Sequence, residues 1–170
     1  MKSQIKPSKE ITNLVSCLKD EKENFDILVK LRDVLHKNIK IIPYTKETEK
    51  AEREIRWKRT ASEIVSDGYV YKGKACTDIV IVFLSFCKTL GLKANFLKFK
   101  KLNMVHSMSE VKVNKKWFIF DVANKNSLPQ IEKKQITSGE DFDGWILWKK
   151  GKDAWDIGLD NFESKNKINI

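Results

Sequence analysis

The chain has 170 residues, 41% of them hydrophobic and 33% charged, with 33 Lys and Arg against 23 Asp and Glu for a formal net charge of +10. That length leads to the expectation of one domain over residues 1–170, and nine Phe with five Trp supply enough bulk for a core, which excludes a disordered chain. The run Ile79 to Leu84 is far too short for a bilayer span and the N-terminal stretch MKSQIKPSKE has no apolar leader segment, so neither membrane insertion nor secretion is expected.

Cys17, Cys76 and Cys87 are odd in number and lack a Cys-x-x-Cys spacing, which argues against a disulfide framework and a closed zinc site and leads to the expectation of free thiols in the cytoplasm. The charge invites a nucleic-acid reading, but only Arg32, Arg53, Arg56 and Arg59 are arginines among the 33 basic residues. Base readout favours Arg, and the lysine pairs are scattered along the chain as on a solvated surface, so no specific nucleic-acid binding is expected.

In chain order, apolar residues recur at three- and four-residue steps through Ile11, Leu14, Val15 and Leu18, and again through Phe25, Leu28, Leu31, Val34 and Leu35, which predicts two amphipathic helices before Pro43. A third helix is expected over roughly 46–66, ended by Asp67-Gly68. CTDIVIVFLSFCKTLG is too long for an ordinary strand, opens with Thr77-Asp78, closes with Lys88 and Gly91, and is apolar throughout, which predicts a buried helix. Strands follow at 93–99, 105–113 and 117–122, the last two separated by an Asn114-Lys115-Lys116 turn signal. In the remainder, GWILWKK and KDAWDIGLDNF stand among loop residues, and Trp145, Trp148 and Trp155 read as sealing the edge of the core. The fold class expected is α+β, with N-terminal helices (8–58) and a buried Cys-bearing helix on an antiparallel sheet (core about 59–124), then a Trp-rich extension (125–170).

Of the three cysteines, only Cys76 opens a helix, where free backbone N–H groups and the positive end of the dipole favour a thiolate. Cys17 lies in an amphipathic helix and Cys87 deep in the apolar one, positions typical of inert thiols. A nucleophilic Cys needs a base, and the chain has two histidines. His36 sits near a helix end and reads as a surface or C-terminal-turn residue, whereas His106 begins a strand. If the hairpin closes on Asn114-Lys115, Lys112 faces Trp117, Glu110 faces Ile119 and Met108 faces Asp121, which puts His106 and Asp121 on one face as diagonal neighbours. A three-residue loop would put them on opposite faces. Ser109, Val111, Phe118 and Phe120 then point the other way, toward the buried helix. The roles would be Cys76 as nucleophile on an amide or acyl carbon, His106 as proton carrier and Asp121 as the group that fixes its tautomer. The Cys76 amide would form half of an oxyanion hole, with Tyr71, ahead of Tyr69 and Trp57, for the other half.

The blocks RTASEIVSDGYVYKGKACTDIVIVFLSFCKTLGLKANF and HSMSEVKVNKKWFIFDVAN, spanning about Arg59 to Asn124, resemble the core of the transglutaminase-like superfamily. The resemblance implies a papain-like architecture with Cys76 opening a helix, His106 on a strand and Asp121 on the next. It also implies an enzyme acting through a Cys-His-Asp triad on an amide of a peptide or protein, with hydrolysis or deamidation favoured over cross-linking and with no cofactor and no metal ion. The competing reading is a catalytically inactive scaffold that serves as a protein- or nucleic-acid-binding module.

Overall fold

The computed structural model describes residues 3–21 and 25–168. Two helices open it, α1 (Lys9–Val15), capped by the Ser8 side chain on the Ile11 amide, and α2 (Phe25–Asn38). Strand β1 (Lys40–Ile42) then pairs in parallel with β2 (Tyr69–Tyr71), a three-residue pairing too short to leave a sequence signal.

The expected single helix over 46–66 is two helices, α3 (Lys46–Ile55) and α4 (Ala61–Asp67). The break has two local causes. Trp57 takes a left-handed backbone conformation (φ 61°), and Thr60 starts a new helix through a reciprocal capping box with Glu63. The break is held from outside, because the Trp57 carbonyl accepts hydrogen bonds from Gln4 Nε2 (3.0 Å) and from Trp155 Nε1 (2.7 Å).

The apolar segment forms α5 (Cys76–Thr89), with every residue from Ile79 to Cys87 buried. It ends where Gly91 (φ 77°) lets the Leu92 amide return to the Cys87 carbonyl at 2.9 Å. Beyond it lies a six-stranded antiparallel sheet, in order β6-β5-β4-β3-β8-β7, from β3 (Lys93–Lys101), β4 (Met104–Val113), β5 (Lys116–Phe120), β6 (Gln130–Glu132), β7 (Asp141–Phe142) and β8 (Trp145–Gly151). The fold is thus α+β, with the Cys-bearing helix on the sheet.

The β4–β5 register pairs Lys112 with Trp117 and Glu110 with Ile119. Asn114 (φ 48°) and Lys115 (φ 65°) both take the left-handed conformation that a two-residue hairpin turn demands. Phe96, Val111, Phe118 and Phe120 join α5 and the N-terminal helices in the main apolar cluster. Leu97, Phe99, Met108, Ile119 and Leu147 form a second cluster on the opposite face, with Ile136 over them. The C-terminal third, expected as loops around tryptophans, places β8 beside β3, with a bulge at Lys98/Phe99. No helix among the described residues is long and apolar enough to cross a membrane.

Candidate active site

Cys76 is the first residue of α5, and no side chain caps that helix, so its first-turn amides are left for a ligand. The start of the helix is anchored from beneath. Asp78, in the first turn, receives Arg59 Nη2 at 2.5 Å, and Arg59 Nη1 reaches Asp67 Oδ2 at 2.8 Å. Arg59 is 6% exposed and Asp78 is largely buried, whereas the Asp67 side chain is exposed, so the ion network runs from the interior to the surface and ties α4 to α5. Burial raises the Asp78 pKa, with Arg59 opposing it.

The N-terminal end of β4 passes this helix start. Cys76 Sγ lies 3.8 Å from Ser107 Oγ, and His106, the neighbouring residue on β4, is close enough for its charge to act on the thiol. On its other side His106 Nε2 is 3.0 Å from Asp121 Oδ1, with both side chains about a quarter exposed. Asp121 lies one residue past the last β4–β5 pair, Ser109 with Phe120. Three contacts fix the chain around it. His36 Nε2 bonds the Val122 carbonyl at 2.8 Å, Arg32 Nη1 the Ser127 carbonyl at 2.5 Å, and Ser127 Oγ the Asp121 carbonyl at 2.5 Å. His36 takes the helix C-terminal-turn placement expected for it, in the last turn of α2, where it is half-buried rather than at the surface, and burial lowers its pKa.

The electrostatics favour a charged pair. Burial disfavours a Cys76 thiolate, but the Lys98 ammonium, the hydrogen bond and charge of His106, and the Ser107 hydroxyl together outweigh it and lower the pKa to about 6. Burial likewise disfavours the His106 imidazolium, yet Asp121 and the thiolate raise its pKa to about 9. Between these values sulfur carries the negative charge and the ring the positive one, as a coupled pair. Cys87 is the opposite case, with burial pushing its thiol far up, and Cys17 is exposed on a helix surface.

Cavities flank the pair on both sides. One, of about 360 Å³, is bordered by Cys76, Trp57, Lys98, Val105, Met104 and Trp145. The other, of about 420 Å³, is bordered by His106, Asp121, Met108, Leu128, Phe142 and again Trp145. The Trp145 ring leans on His106 at 5.6 Å between centroids. Of the three oxyanion candidates, Trp57 borders the cavity that holds Cys76. Tyr69 and Tyr71 instead pack edge-on to each other at 5.6 Å.

Lys98 and Ser107 were not singled out in the sequence, Thr77 was read only as part of the helix start, and Trp145 as sealing the edge of the core. Lys98 had a usable signal, a charge on the same strand face as Phe96, whereas the approach of Trp145 has none, because it arrives from a strand 39 positions after His106. Among the described residues no group of three or more His, Cys, Asp or Glu side chains is placed to hold a metal ion.

No protein-family model and no curated protein matches the sequence. Solved structures do match. A candidate cysteine protease from Cytophaga hutchinsonii aligns at a TM-score of 0.55 and 16% identity over 92% of this chain and 48% of that one. Legionella pneumophila LapG aligns at 0.51 and 18% over 91% and 83%, and the same protein after EGTA treatment at 0.50 and 17% over 92% and 84%. This chain thus spans about half the length of the Cytophaga protein and most of LapG. At such identities the likeness speaks for the fold, which is transglutaminase-like and papain-like.

Proposed function

We propose that the protein is a cofactor-independent thiol hydrolase that cleaves an amide bond of a peptide or protein through Cys76, His106 and Asp121. The observation that carries this reading is the 3.0 Å contact of His106 Nε2 with Asp121 Oδ1, with the same ring coupled electrostatically to a thiol at a helix start. The resting pair is thiolate and imidazolium, so no base is needed for the first step. Cys76 sulfur attacks the amide carbon, and the oxyanion that forms is met by the Cys76 amide and the Trp57 indole N–H. Imidazolium gives its proton to the leaving nitrogen as the C–N bond breaks, which leaves a thioester and a neutral imidazole. The ring then takes a proton from water, whose oxygen attacks the thioester, and collapse returns carboxylic acid and the thiolate pair. Asp121 holds the ring aimed at sulfur throughout.

On this reading the acyl side of the substrate occupies the cavity beside Cys76 and the leaving side occupies the one beside His106 and Asp121, with Trp145 at the divide. Water in the second step makes the outcome hydrolysis or, on a side-chain amide, deamidation. Three free cysteines fit a reducing compartment such as the cytoplasm.

A panel of peptide amides screened with the wild type, Cys76→Ala and His106→Ala tests this. Turnover by the wild type alone, with a Cys76 thioester trapped by acid quench and seen by mass, is the expected result. Turnover that survives Cys76→Ala refutes it, as does iodoacetamide labelling of Cys17 at pH 6.5 as fast as Cys76.

A further inference from the structure

Strand β3 reads Asn95-Phe96-Leu97-Lys98-Phe99, and by alternation Lys98 shares the helix-facing side with Phe96. Its side chain is 1% exposed, so an ammonium group is held inside the protein. No carboxylate pairs with it among the described residues. Nζ donates to Ser107 Oγ at 3.0 Å and to Thr77 Oγ1 at 3.2 Å, and lies 5.1 Å from the centre of the Trp57 ring. A buried charge without a counter-ion is costly, so a lysine in this place calls for an anion nearby. The carboxylate that acts on it, Asp78 on α5, is already bound by Arg59, and the site's other carboxylates are taken as well, Glu52 on α3 by Arg56 and Asp121 by His106. What remains is the sulfur of Cys76, 3.8 Å from the Ser107 hydroxyl that Lys98 itself contacts.

We infer that Lys98 is a positioning residue that holds Cys76 as the thiolate through the Ser107 and Thr77 hydroxyls, so that the charge of the nucleophile does not depend on His106 alone. This rests on the hydrolase reading above and adds a second cation to it. The donors and acceptors close. Lys98 donates to both oxygens and the Thr77 hydroxyl can donate to Ser107 across 2.9 Å; the neutral Cys76 thiol donates to Ser107 Oγ, and once it ionises the Ser107 hydroxyl is free to turn and donate to sulfur. Each bond in such a chain polarises the next toward the anion. The direction of the titration agrees, since Lys98 is the largest influence lowering the Cys76 pKa, while burial lowers the pKa of Lys98 and the thiolate opposes that. The other cations near the sulfur are His106, on β4, and Arg56 and Lys74 around the cavity, and of these Arg56 is spent on Glu52. Division of labour follows, with Lys98 keeping the sulfur charged so that His106 can serve the leaving group.

The test is the pH dependence of Cys76 alkylation by iodoacetamide in the full chain with Cys17→Ser, compared among the parent, Lys98→Met, Ser107→Ala and His106→Asn. With Lys98→Met the midpoint should move upward by a pH unit or more although His106 is present, and labelling at pH 6 should slow at least about fivefold. Ser107→Ala, which leaves the ammonium in place, should move it the same way by less. His106→Asn should abolish turnover yet keep the midpoint below the ordinary thiol value of about 8.5. If Lys98→Met does not fold, Ser107→Ala decides, because an unchanged midpoint there overturns the inference. A low parent midpoint that Lys98→Met leaves in place overturns the role of Lys98 and spares the hydrolase reading. A parent in which Cys76 titrates like an ordinary thiol removes both.

Discussion

Replacing Asp121 by Asn removes one charge from the site and leaves its scaffold intact, because the packing contacts of this residue run through its backbone carbonyl to Ser127 and through the neighbouring Val122 carbonyl to His36. The magnitude follows from the 3.0 Å contact and its setting. Two unit charges about 4 Å apart interact by about 4 kcal/mol at an effective dielectric constant near 20 and by about 1 kcal/mol in water. Both side chains keep about a quarter of their exposure, so a value of about 1.5–3 kcal/mol applies, equivalent to about one to two pKa units on His106. The sign is downward, since the lost carboxylate favoured the imidazolium. The upper limit of the thiolate–imidazolium window should therefore fall from about 9 toward 7–8. Through the ring's ionisation kcat/KM should fall about 1.3- to 4-fold at pH 7.5 and about 5- to 50-fold at pH 9, less than the about 10⁴ of the serine-protease counterpart, because here the nucleophile is already charged. The assay is the pH profile of peptide-amide hydrolysis for the wild type and Asp121→Asn, with melting temperature as the control for folding. An upper limb that stays in place, with an unchanged rate, would refute the claim that Asp121 acts on the ring.

Other expectations concern the surroundings of the pair. Trp57→Phe keeps the ring beside Lys98 but deletes the indole N–H, so kcat for amide cleavage should drop by about 10²–10³ while Cys76 alkylation is unaltered; an unchanged kcat would move the oxyanion role elsewhere. The thiol value of about 6 lies below that of the unfolded chain, so its contribution to stability is full above about pH 8.5 and lost as pH falls through 6. The ring value of about 9 lies above the unfolded 6.5, so its contribution is full below that and lost as pH rises through 9. The difference in melting temperature between wild type and Cys76→Ala should accordingly be largest between about pH 6 and 9, and a flat difference from pH 4 to 11 would contradict the assignment. Arg59→Met strands the buried Asp78 and should cost about 3–5 kcal/mol in urea unfolding, with a loss under about 1 kcal/mol arguing that Asp67 and Asp78 are solvated in its absence. The +10 charge should give only weak DNA or RNA binding that disappears steeply between about 50 and 200 mM salt; sequence-selective binding at physiological salt would instead favour a binding module.

Much of this molecule is written locally. The length, acidic start and Lys-Gly end of the apolar run after Cys76 favoured a buried helix despite its β-branched first half, and a turn closed on Asn114-Lys115 sets the β4–β5 register by alternation, which carries His106 and Asp121 to one face across 15 positions. These were legible because helix period and strand alternation are properties of neighbouring residues. The break at Trp57 was not legible, since it is enforced by Gln4 and Trp155 from opposite ends of the chain. Strand β8 was likewise hidden, as Trp145 to Gly151 is half-exposed and gains its place by pairing with β3, about 50 positions earlier. The environment of the sulfur is the clearest division. The sequence by itself put Cys76 at a helix start. The buried Lys98 ammonium, the Ser107 hydroxyl and the Trp145 ring came to it from three other places in the chain, and only their packing in three dimensions decides the field that an ionised thiol meets.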